Sequence, residues 1–482
     1  MQEHPLYDKL KGHYTYLFNS YSGGDRYQKS GYLTRYAYES EIDYHERLRQ
    51  TPLDNHCKSV VDIYNAFLFR KSIEREYGAL EDDPALEAFL EDCDLEGRKL
   101  ANFMKLVSTY ASVFGHAHIV LAKPNSQART RAEELEQSIR PYASVITPMA
   151  VLDWHYSREE NGVYFLDYFK YIEDQEYKTR TVVKEWRPDL IRTYTVDGER
   201  QEIEEISEDE NQLGEIPVVT VFSQKSIYRG MGISDIQDIA DQQRAIYNEL
   251  SEVEQAIRLN GHPSLVKTPT TEAIAGAGSI VQMPEDMDPG LKPYILESSA
   301  NVESIYTSIQ KRVESIDRMS NTGSVRQREQ KTLSGVAMEV EFSMLNARLA
   351  EKADNLELAE EQMWRLFARY QGQRWQGNVK YPDTFSIRDD DRLYTQLKIA
   401  RETTDSPRLV DKINDQLADL MGVELEEELT HATTIPGSDR SSHIQAMIME
   451  GYTDSQMLAL HPEITQQDID SAKQELLDSG SE

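Results

Sequence analysis

The sequence is poor in cysteine and in long apolar runs, and each lack excludes a class of protein. Two cysteines in 482 residues, Cys57 and Cys93, are too few for a disulfide framework and suit a reducing cytosol. No stretch approaches 18 consecutive apolar residues, so we expect no transmembrane helix and no membrane partner. The N-terminal residues lack the basic and apolar segments of a secretory signal. The composition is typical of a soluble, folded protein with several domains.

Positive charge is also scarce. The chain has 52 Lys and Arg against 84 Asp and Glu, which gives a formal net charge of −32. A protein that grips nucleic acid over its whole surface needs many cations for phosphate contacts, so the composition argues against one. It is compatible with a protein that lets DNA pass, because an acidic wall repels a duplex over roughly 8 Å at physiological salt. An acidic surface that serves only solubility is the alternative.

The common catalytic motifs are absent. The chain has no phosphate-binding or dinucleotide-binding glycine motif, no nucleophile elbow and no paired-histidine zinc motif. The acidic run Asp389–Asp391 could bind a divalent cation, although such a run is usually a solvated turn or a helix start. His116 and His118 share one face of a predicted strand, but no Cys or carboxylate at matching spacing completes a zinc site. We therefore expect no catalytic residue, no metal and no cofactor.

The most regular pattern begins at Gly232. Apolar residues follow at intervals of three, four or seven, which predicts an amphipathic helix whose stripe is broken only at Gln243. Gly261 and Pro263 end it, because glycine readily occupies the C-terminal cap and proline cannot continue the helix. The stripe consists of Ile236, Ile239, Ile246, Leu250, Val253 and Ile257.

A second helix is predicted from Val302 to Met319, with three chemically different faces. The apolar face contains Val302, Ile305, Ile309, Val313 and Ile316. The acidic and polar face contains Glu303, Gln310, Glu314 and Asp317. The third, small and mildly basic, contains Ser304, Ser308, Lys311, Ser315 and Arg318. Three faces suggest a helix that packs on neighbouring elements and leaves its third face, with small and mildly basic side chains, free to contact another molecule. The alternative is an ordinary helical hairpin in which the serines are only solvated.

The remaining patterns predict a helical start, an α+β domain and a helical end. Residues 1–35 look irregular, and Thr51-Pro52 is predicted to open a helix. Short β-rich runs with turns between them predict a mostly antiparallel sheet within residues 100–225, with an acidic loop at 202–210. The other expected helices are at 36–49, 82–93, 97–114 and 334–370, with further helices after 389. The other expected strands are at 116–122, 216–222 and 264–267, and residues 375–387 are expected to form a hairpin or an extended return.

The order of these elements resembles the portal proteins of tailed bacteriophages. The resemblance covers about residues 40–390 and is strongest over 230–350, where the segment Gly230–Asn248 opens a helix and a small insertion starting at Pro263 precedes a returning helix, a polar loop and a long helix. It implies a mainly helical α+β portal fold. The implied parts are an N-terminal arm and α+β wing (1–229), stem helix 1 (230–262), a small β-containing clip (263–300), stem helix 2 (301–319), a tunnel loop (320–334), a long helix with a return to the wing (335–390) and a helical crown (391–482).

The resemblance also implies a function and partners. A portal forms a ring, usually of twelve subunits in that family, at one vertex of the capsid, and double-stranded DNA is packaged and ejected through it. Its partners would be terminase, then head–tail adaptor proteins, and the major capsid and scaffolding proteins. We expect the protein in the virion after assembly in the bacterial host cytoplasm.

In such a ring each candidate residue has a role. The third face of the second helix would line the DNA channel, since small hydroxyls leave room and rings of cations make shallow phosphate contacts. Arg326, Arg328 and Lys331 would form the tunnel loop and make the narrowest contact with DNA; a disordered linker is the alternative. The stem would pack between subunits through Ile236, Ile239, Ile246, Leu250, Val253, Ile257, Val302, Ile305, Ile309 and Ile316.

Two other classes of function stay open at this point. One is another capsid-associated adaptor or scaffolding component built from long helices. The other is a metal-dependent hydrolase that uses the cluster at Asp389.

Overall fold

The computed structural model describes residues 3–124, 131–176, 180–197, 202–261, 264–266, 288, 290, 294–296, 302–326, 335–385, 390–404, 406–421, 444, 448 and 469–473. The chain divides into two compact units, Met1–Phe385 and Ser386–Glu482. The first unit combines helices with antiparallel sheets, which confirms the mixed α+β class. In the second unit the described elements are helices.

The described α-helices of the first unit lie mainly before and after a run of consecutive strands. They are α1 Pro5–Ser22, α2 Gly24–Gln28, α3 Glu41–Gln50, α4 His56–Leu68, α5 Pro84–Glu91, α6 Leu100–Phe114, α7 Arg131–Glu136, α8 Gln237–Gly261, α9 Val302–Ser320, α10 Gly323–Arg326 and α11 Gly335–Tyr370. The predictions for α6, α8, α9 and α11 are therefore confirmed to within a few residues.

The described strands form four antiparallel sheets. The strands are β1 Glu74–Glu76, β2 His116–Ala122, β3 Tyr142–Ile146, β4 Val151–Arg158, β5 Tyr164–Glu176, β6 Arg180–Trp186, β7 Leu190–Asp197, β8 Ile203–Glu210, β9 Val218–Phe222, β10 Ser264–Val266, β11 Tyr294–Leu296 and β12 Asn378–Lys380. β4 to β8 form a five-stranded meander, β2 lies between β3 and β9, and β1 pairs with β12 and β10 with β11. This confirms the antiparallel sheet, while the predicted acidic loop at 202–210 is wrong because β8 pairs along β7.

Residues 1–35 are helical over much of their length, so the prediction of an irregular segment is wrong. Pro5 stands at the first position of α1, and the His4 ring accepts a hydrogen bond from the Leu6 amide at the cap. Tyr14 and Leu17 are buried in the main core on one side of the helix. The aromatic content that made this segment look irregular in sequence is its core-facing stripe.

The start of α4 also differs from the prediction. Its cap is Asn55, whose side chain accepts a hydrogen bond from the Lys58 amide, and Thr51 instead ends α3. From α4 onward the predicted apolar spacing holds, and Val60, Val61 and Tyr64 are fully buried.

The core of the first unit is built around α11. Leu345, Leu349, Met363 and Phe367 are buried and belong to the same apolar cluster as residues of α4, α6 and β2. Gly115 takes a left-handed conformation between α6 and β2, which lets the chain turn directly from helix into sheet. The long predicted helix is thus the support on which the sheet and the other helices pack.

The second unit contains two neighbouring helices, α12 Asp390–Thr403 and α13 Pro407–Met421. Ser406 precedes the first residue of α13, Pro407, and its carbonyl accepts hydrogen bonds from the Leu409 and Val410 amides at 3.1 Å. Further along, Ile444, Ile469 and Ala472 form a small buried apolar cluster.

Candidate functional site

The third face of α9 is partly open to solvent. Ser304, Lys311 and Arg318 are exposed, and Ser308 and Ser315 are half-buried at the border of the packed side. The exposed arc is divided by charge, because Glu303 and Glu314 also lie in it, on the side away from the serines. The helix therefore presents two adjoining strips of opposite sign.

A carboxylate on α8 fastens the packed side of α9. Glu249 Oε1 accepts hydrogen bonds from Ser308 Oγ and from Arg312 Nε, each at 2.9 Å, and Arg312 also donates to Gln242 Oε1 at 3.2 Å. Sequence reasoning missed Glu249 and Arg312. The available signal was the spacing of four between Ser308 and Arg312 beside the apolar stripe.

The intersubunit assignment of the apolar stripes needs correction. Ile236, Ile239 and Ile246 are at most 1% exposed in a single chain and Val253 is 2% exposed, and Ile316 on α9 is fully buried. A side chain without exposed surface cannot pack on a neighbour, so these five belong to the chain's own core. The physical reason is that the helical N-terminal segment and α4 already cover α8.

The other members of the two stripes keep some surface. Ile257 is 48% exposed near the end of α8, and Val302, Ile305, Leu250 and Ile309 are half-buried. Their role in packing between subunits stays a proposal.

Gln243, the polar break in the α8 stripe, is fully buried and satisfied. Its Oε1 accepts from the Cys57 amide at 2.8 Å, and its Nε2 donates to the Ser20 carbonyl at 3.0 Å. The side chain thus joins α8 to the first turn of α4 and the last turn of α1. What looked like an interruption in the pattern is a structural link.

A buried ion cluster holds the residues just before α8. Asp235 Oδ2 lies 2.5 Å from Lys352 Nζ and Asp235 Oδ1 lies 3.1 Å from Arg348 Nη2, both on α11. Ser223, next to the end of β9, donates to both carboxylate oxygens at 2.9 Å. Burial alone would raise the pKa of the Asp235 carboxyl, but Lys352 and Arg348 outweigh it and hold that pKa below its usual value. The start of α8 is therefore tied to the sheet and to α11.

Arg326 makes contacts within the chain, and its predicted DNA contact stays a prediction. Arg326 lies in the short helix α10, and its Nη1 is 2.7 Å from the buried Asp317 carboxylate on α9. Its other terminal nitrogen contacts the His56 ring. The guanidinium thus joins α10 to α9 and α4. The buried Asp317 carboxylate is stabilised by having this cation nearby. Arg328 and Lys331 lie outside the described residues.

His116 and His118 are both buried and lie within hydrogen-bond distance of other residues of the fold. His118 Nδ1 lies 3.0 Å from Thr220 Oγ1, and His116 Nδ1 accepts from the Gly232 amide at 3.2 Å. Burial lowers the pKa of His116 to about 4 and that of His118 well below its usual value, so both rings are neutral at pH 7. Among the described residues no group of three or more His, Cys, Asp or Glu side chains could hold a metal ion.

In the part of the chain that the structure describes, no helix is long and apolar enough to cross a bilayer. The charged groups described above are paired within the fold or face solvent on α9. The paired groups are suited to holding the helices in place, and the exposed groups of α9 form a charged surface.

The comparisons with known structures give loose likenesses. A chain from the neck of an empty GTA particle computed with C6 symmetry is 10% identical, with a TM-score of 0.45 over 83% of this chain and 99% of that one. A chain from the neck of a native GTA particle computed with C12 symmetry is also 10% identical, with a TM-score of 0.44 over 76% and 89%. A chain from the virion of a native gene transfer agent particle is 11% identical, with a TM-score of 0.41 over 87% and 96%. Since these scores are below 0.5, we base no conclusion on them.

The comparison with protein families is decisive. No curated protein matches the sequence. The model for the phage portal protein family, SPP1 Gp6-like, matches residues 8–396, which is more than half of the 482 residues. The chain therefore belongs to the SPP1 Gp6-like family of phage portal proteins and is a portal, or head–tail connector, component of a virion.

Proposed function

We propose that the chain assembles into a closed ring, of twelve subunits as is usual in the family, and that double-stranded DNA passes through its central channel. The observation that carries the proposal is on α9. Lys311 and Arg318 are exposed and have no acidic partner among the described residues, whereas their neighbour Arg312 is held by Glu249. In a chain of net charge −32, two unpaired cations on one strip of a helix form a local positive surface that attracts an anion from outside the chain.

The two strips of α9 suggest which side faces the DNA. Phosphates are attracted by Lys311 and Arg318 and repelled by Glu303 and Glu314, so the cationic strip with Ser304, Ser308 and Ser315 would line the channel. Long, exposed cations make contacts that a moving duplex can break easily, since each is screened and weak. The role is mechanical passage without catalysis.

The other parts take the places that the family suggests. In this proposal the wing is 1–229, the stem 230–262 and 301–319, the clip 263–300, the tunnel loop 320–334, the long helix and return 335–390 and the crown 391–482. The buried cluster at Asp235 supports the stem by fixing the residues just before α8 to α11. The clip would bind terminase and then the head–tail adaptor, and the outside of the ring the capsid and scaffolding proteins.

Cross-linking from single cysteines tests the channel assignment. Cys57 and Cys93 are 0% exposed, so a cysteine placed on α9 would be the accessible thiol among the described residues. Rings carrying Lys311→Cys would be incubated with a double-stranded DNA that bears a thiol-reactive group on its backbone. Gln310→Cys, one residue away on the acidic strip, is the matched control.

We expect the Lys311→Cys ring to cross-link to DNA at least tenfold faster than the Gln310→Cys ring. Equal rates, or faster reaction of Gln310→Cys, would show that the cationic strip does not face the channel. A chain that stays monomeric by mass measurement at every concentration would overturn the ring itself.

A further inference from the structure

Two surfaces of the first unit expose large apolar side chains far more than the rest of the described chain. Tyr38 is 102% exposed and Ile42 is 79% exposed, and both belong to residues 36–43, which we call the aromatic turn. Ile227 is 94% exposed and lies in the loop between β9 and α8. Large apolar side chains this exposed are candidate contacts for a partner when they adjoin further apolar surface.

The aromatic turn is held rigidly although its tip is bare. The Arg47 guanidinium, 3% exposed, pairs with Glu39 at 2.7 Å, donates to the Thr34 carbonyl at 2.7 Å and to Ser251 Oγ of α8 at 2.9 Å. It also lies 4.1 Å from the centre of the Tyr36 ring. A built support beneath a fully exposed tyrosine indicates a pre-organised contact, because ordering the turn then costs nothing on binding.

The second surface is concave. The loop Lys225–Met231 forms one wall of a groove of about 470 Å³, whose other walls come from β4, β5, β9 and α11. Leu166, Phe222 and Leu358 line it, and we call it the loop groove. Lys225 and Arg229 are exposed along its wall. The groove therefore combines apolar and polar walls with a cationic rim.

We propose that the aromatic turn of one subunit inserts into the loop groove of the next subunit, a contact that rests on the proposed ring. A ring needs two different, complementary surfaces on each chain, and these two, an exposed turn and a groove, carry opposite charges. Tyr38 and Ile42 project beside the exposed carboxylates of Glu41 and Asp43, while the groove presents Lys225 and Arg229. The occupant of the groove is thus a second copy of this chain.

Two double variants of the full chain test the contact, one for each surface. The turn variant is Tyr38→Ala with Ile42→Ala, and the groove variant is Ile227→Asp with Tyr228→Asp. All four side chains are exposed in the single chain, so folding should be unaffected, and circular dichroism checks it. The control is Ile203→Ala with Ile206→Ala, which removes two exposed apolar side chains from the edge strand β8.

We expect each test variant to need at least tenfold more protein than the wild type for half-assembly, because a buried tyrosine anchor usually carries that much affinity. The control variant should assemble like the wild type. In a mixture of the two test variants, the intact turn of the groove variant can bind the intact groove of the turn variant. The resulting 1:1 pair has no second intact contact and should not grow further. Sedimentation velocity measures the size of this complex.

Rings of either test variant at the wild-type concentration would overturn the contact, as would a mixture that remains monomeric. Failure of the proposed ring is a separate result, because the wild-type chain alone would then show no ring under the same conditions.

Discussion

The buried cluster at Asp235 allows a quantitative prediction. The side chains of Asp235 and Lys352 are 4% and 6% exposed, so neither can reach water when its partner is removed. The variant Asp235→Asn would leave the Lys352 ammonium buried beside Arg348, with the exposed Glu351 carboxylate as a weaker counter-charge. Breaking a buried pair from one side usually costs about 3–5 kcal/mol, and we expect a loss of that size in the free energy of unfolding.

Denaturant unfolding of the full chain, diluted until it is monomeric, measures this loss. The four tryptophans all lie in the first unit, so their fluorescence follows the unit that contains the cluster; they are Trp154, Trp186, Trp364 and Trp375. Lys352→Met should also destabilise, and the double variant should be less destabilised than the two single losses added together.

The pH dependence gives a second readout of the same cluster. Because the folded-state pKa of Asp235 is lowered, its stabilisation is present above the unfolded-state pKa and is lost as the pH falls through the folded-state pKa. The difference between wild type and Asp235→Asn should therefore be constant near pH 7 and shrink in acid. The control is Asp238→Asn, exposed in the first turn of α8, which should cost less than about 1 kcal/mol. A loss below about 1 kcal/mol for Asp235→Asn would refute this reasoning.

Three further substitutions test other contacts through the thermal midpoint of the first unit. Gly232→Ala would place its Cβ 1.9 Å from the Gly115 carbonyl oxygen, so we expect a loss of about 1–3 kcal/mol or more. In Gly12→Ala, within α1, the added Cβ has no atom within 4 Å, so we expect a stabilisation of about 0.5–1 kcal/mol. A thermal midpoint for Gly232→Ala above that for Gly12→Ala would contradict the packing described. Arg326→Ala removes a charged hydrogen bond from Asp317 and should cost about 1.5–3 kcal/mol, whereas a residue that only contacted DNA would show no change.

Much of the fold could be predicted from sequence, because its long helices follow apolar periodicity. The spacing of Ile236, Ile239 and Ile246 predicts α8, and the three-face pattern places α9 within one residue of its observed end. The strands β2 and β9 were predictable from β-branched runs for the same reason: a buried strand carries its signal in its own residues.

The errors arose where tertiary contacts decide the local structure. β8 consists largely of acidic residues and looks like a loop, but it pairs with β7, and Arg192 lies 2.6 Å from Glu208 across the two strands. The helical stripe of α1 was obscured by its aromatic residues, which favour helices weakly when considered alone.

The site was predictable in outline and not in its detail. The basic strip of α9 followed from helical geometry, whereas the apolar stripes gave no sign of whether one chain or two would cover them. Periodicity shows that a face is buried and not which surface buries it, so the fully buried Ile246 was assigned to a neighbour. The contact between Arg326 and Asp317 was missed because the two residues lie nine positions apart on different helices.

The central claim is that α9 presents its cationic strip to the axis of a ring. Electron cryomicroscopy of the assembled wild-type protein measures this directly. We expect the side chains of Lys311 and Arg318 to project into the central channel, with Glu303 and Glu314 turned away from the axis. A ring in which Lys311 and Arg318 are buried between subunits, or point to the outer surface, would contradict the account.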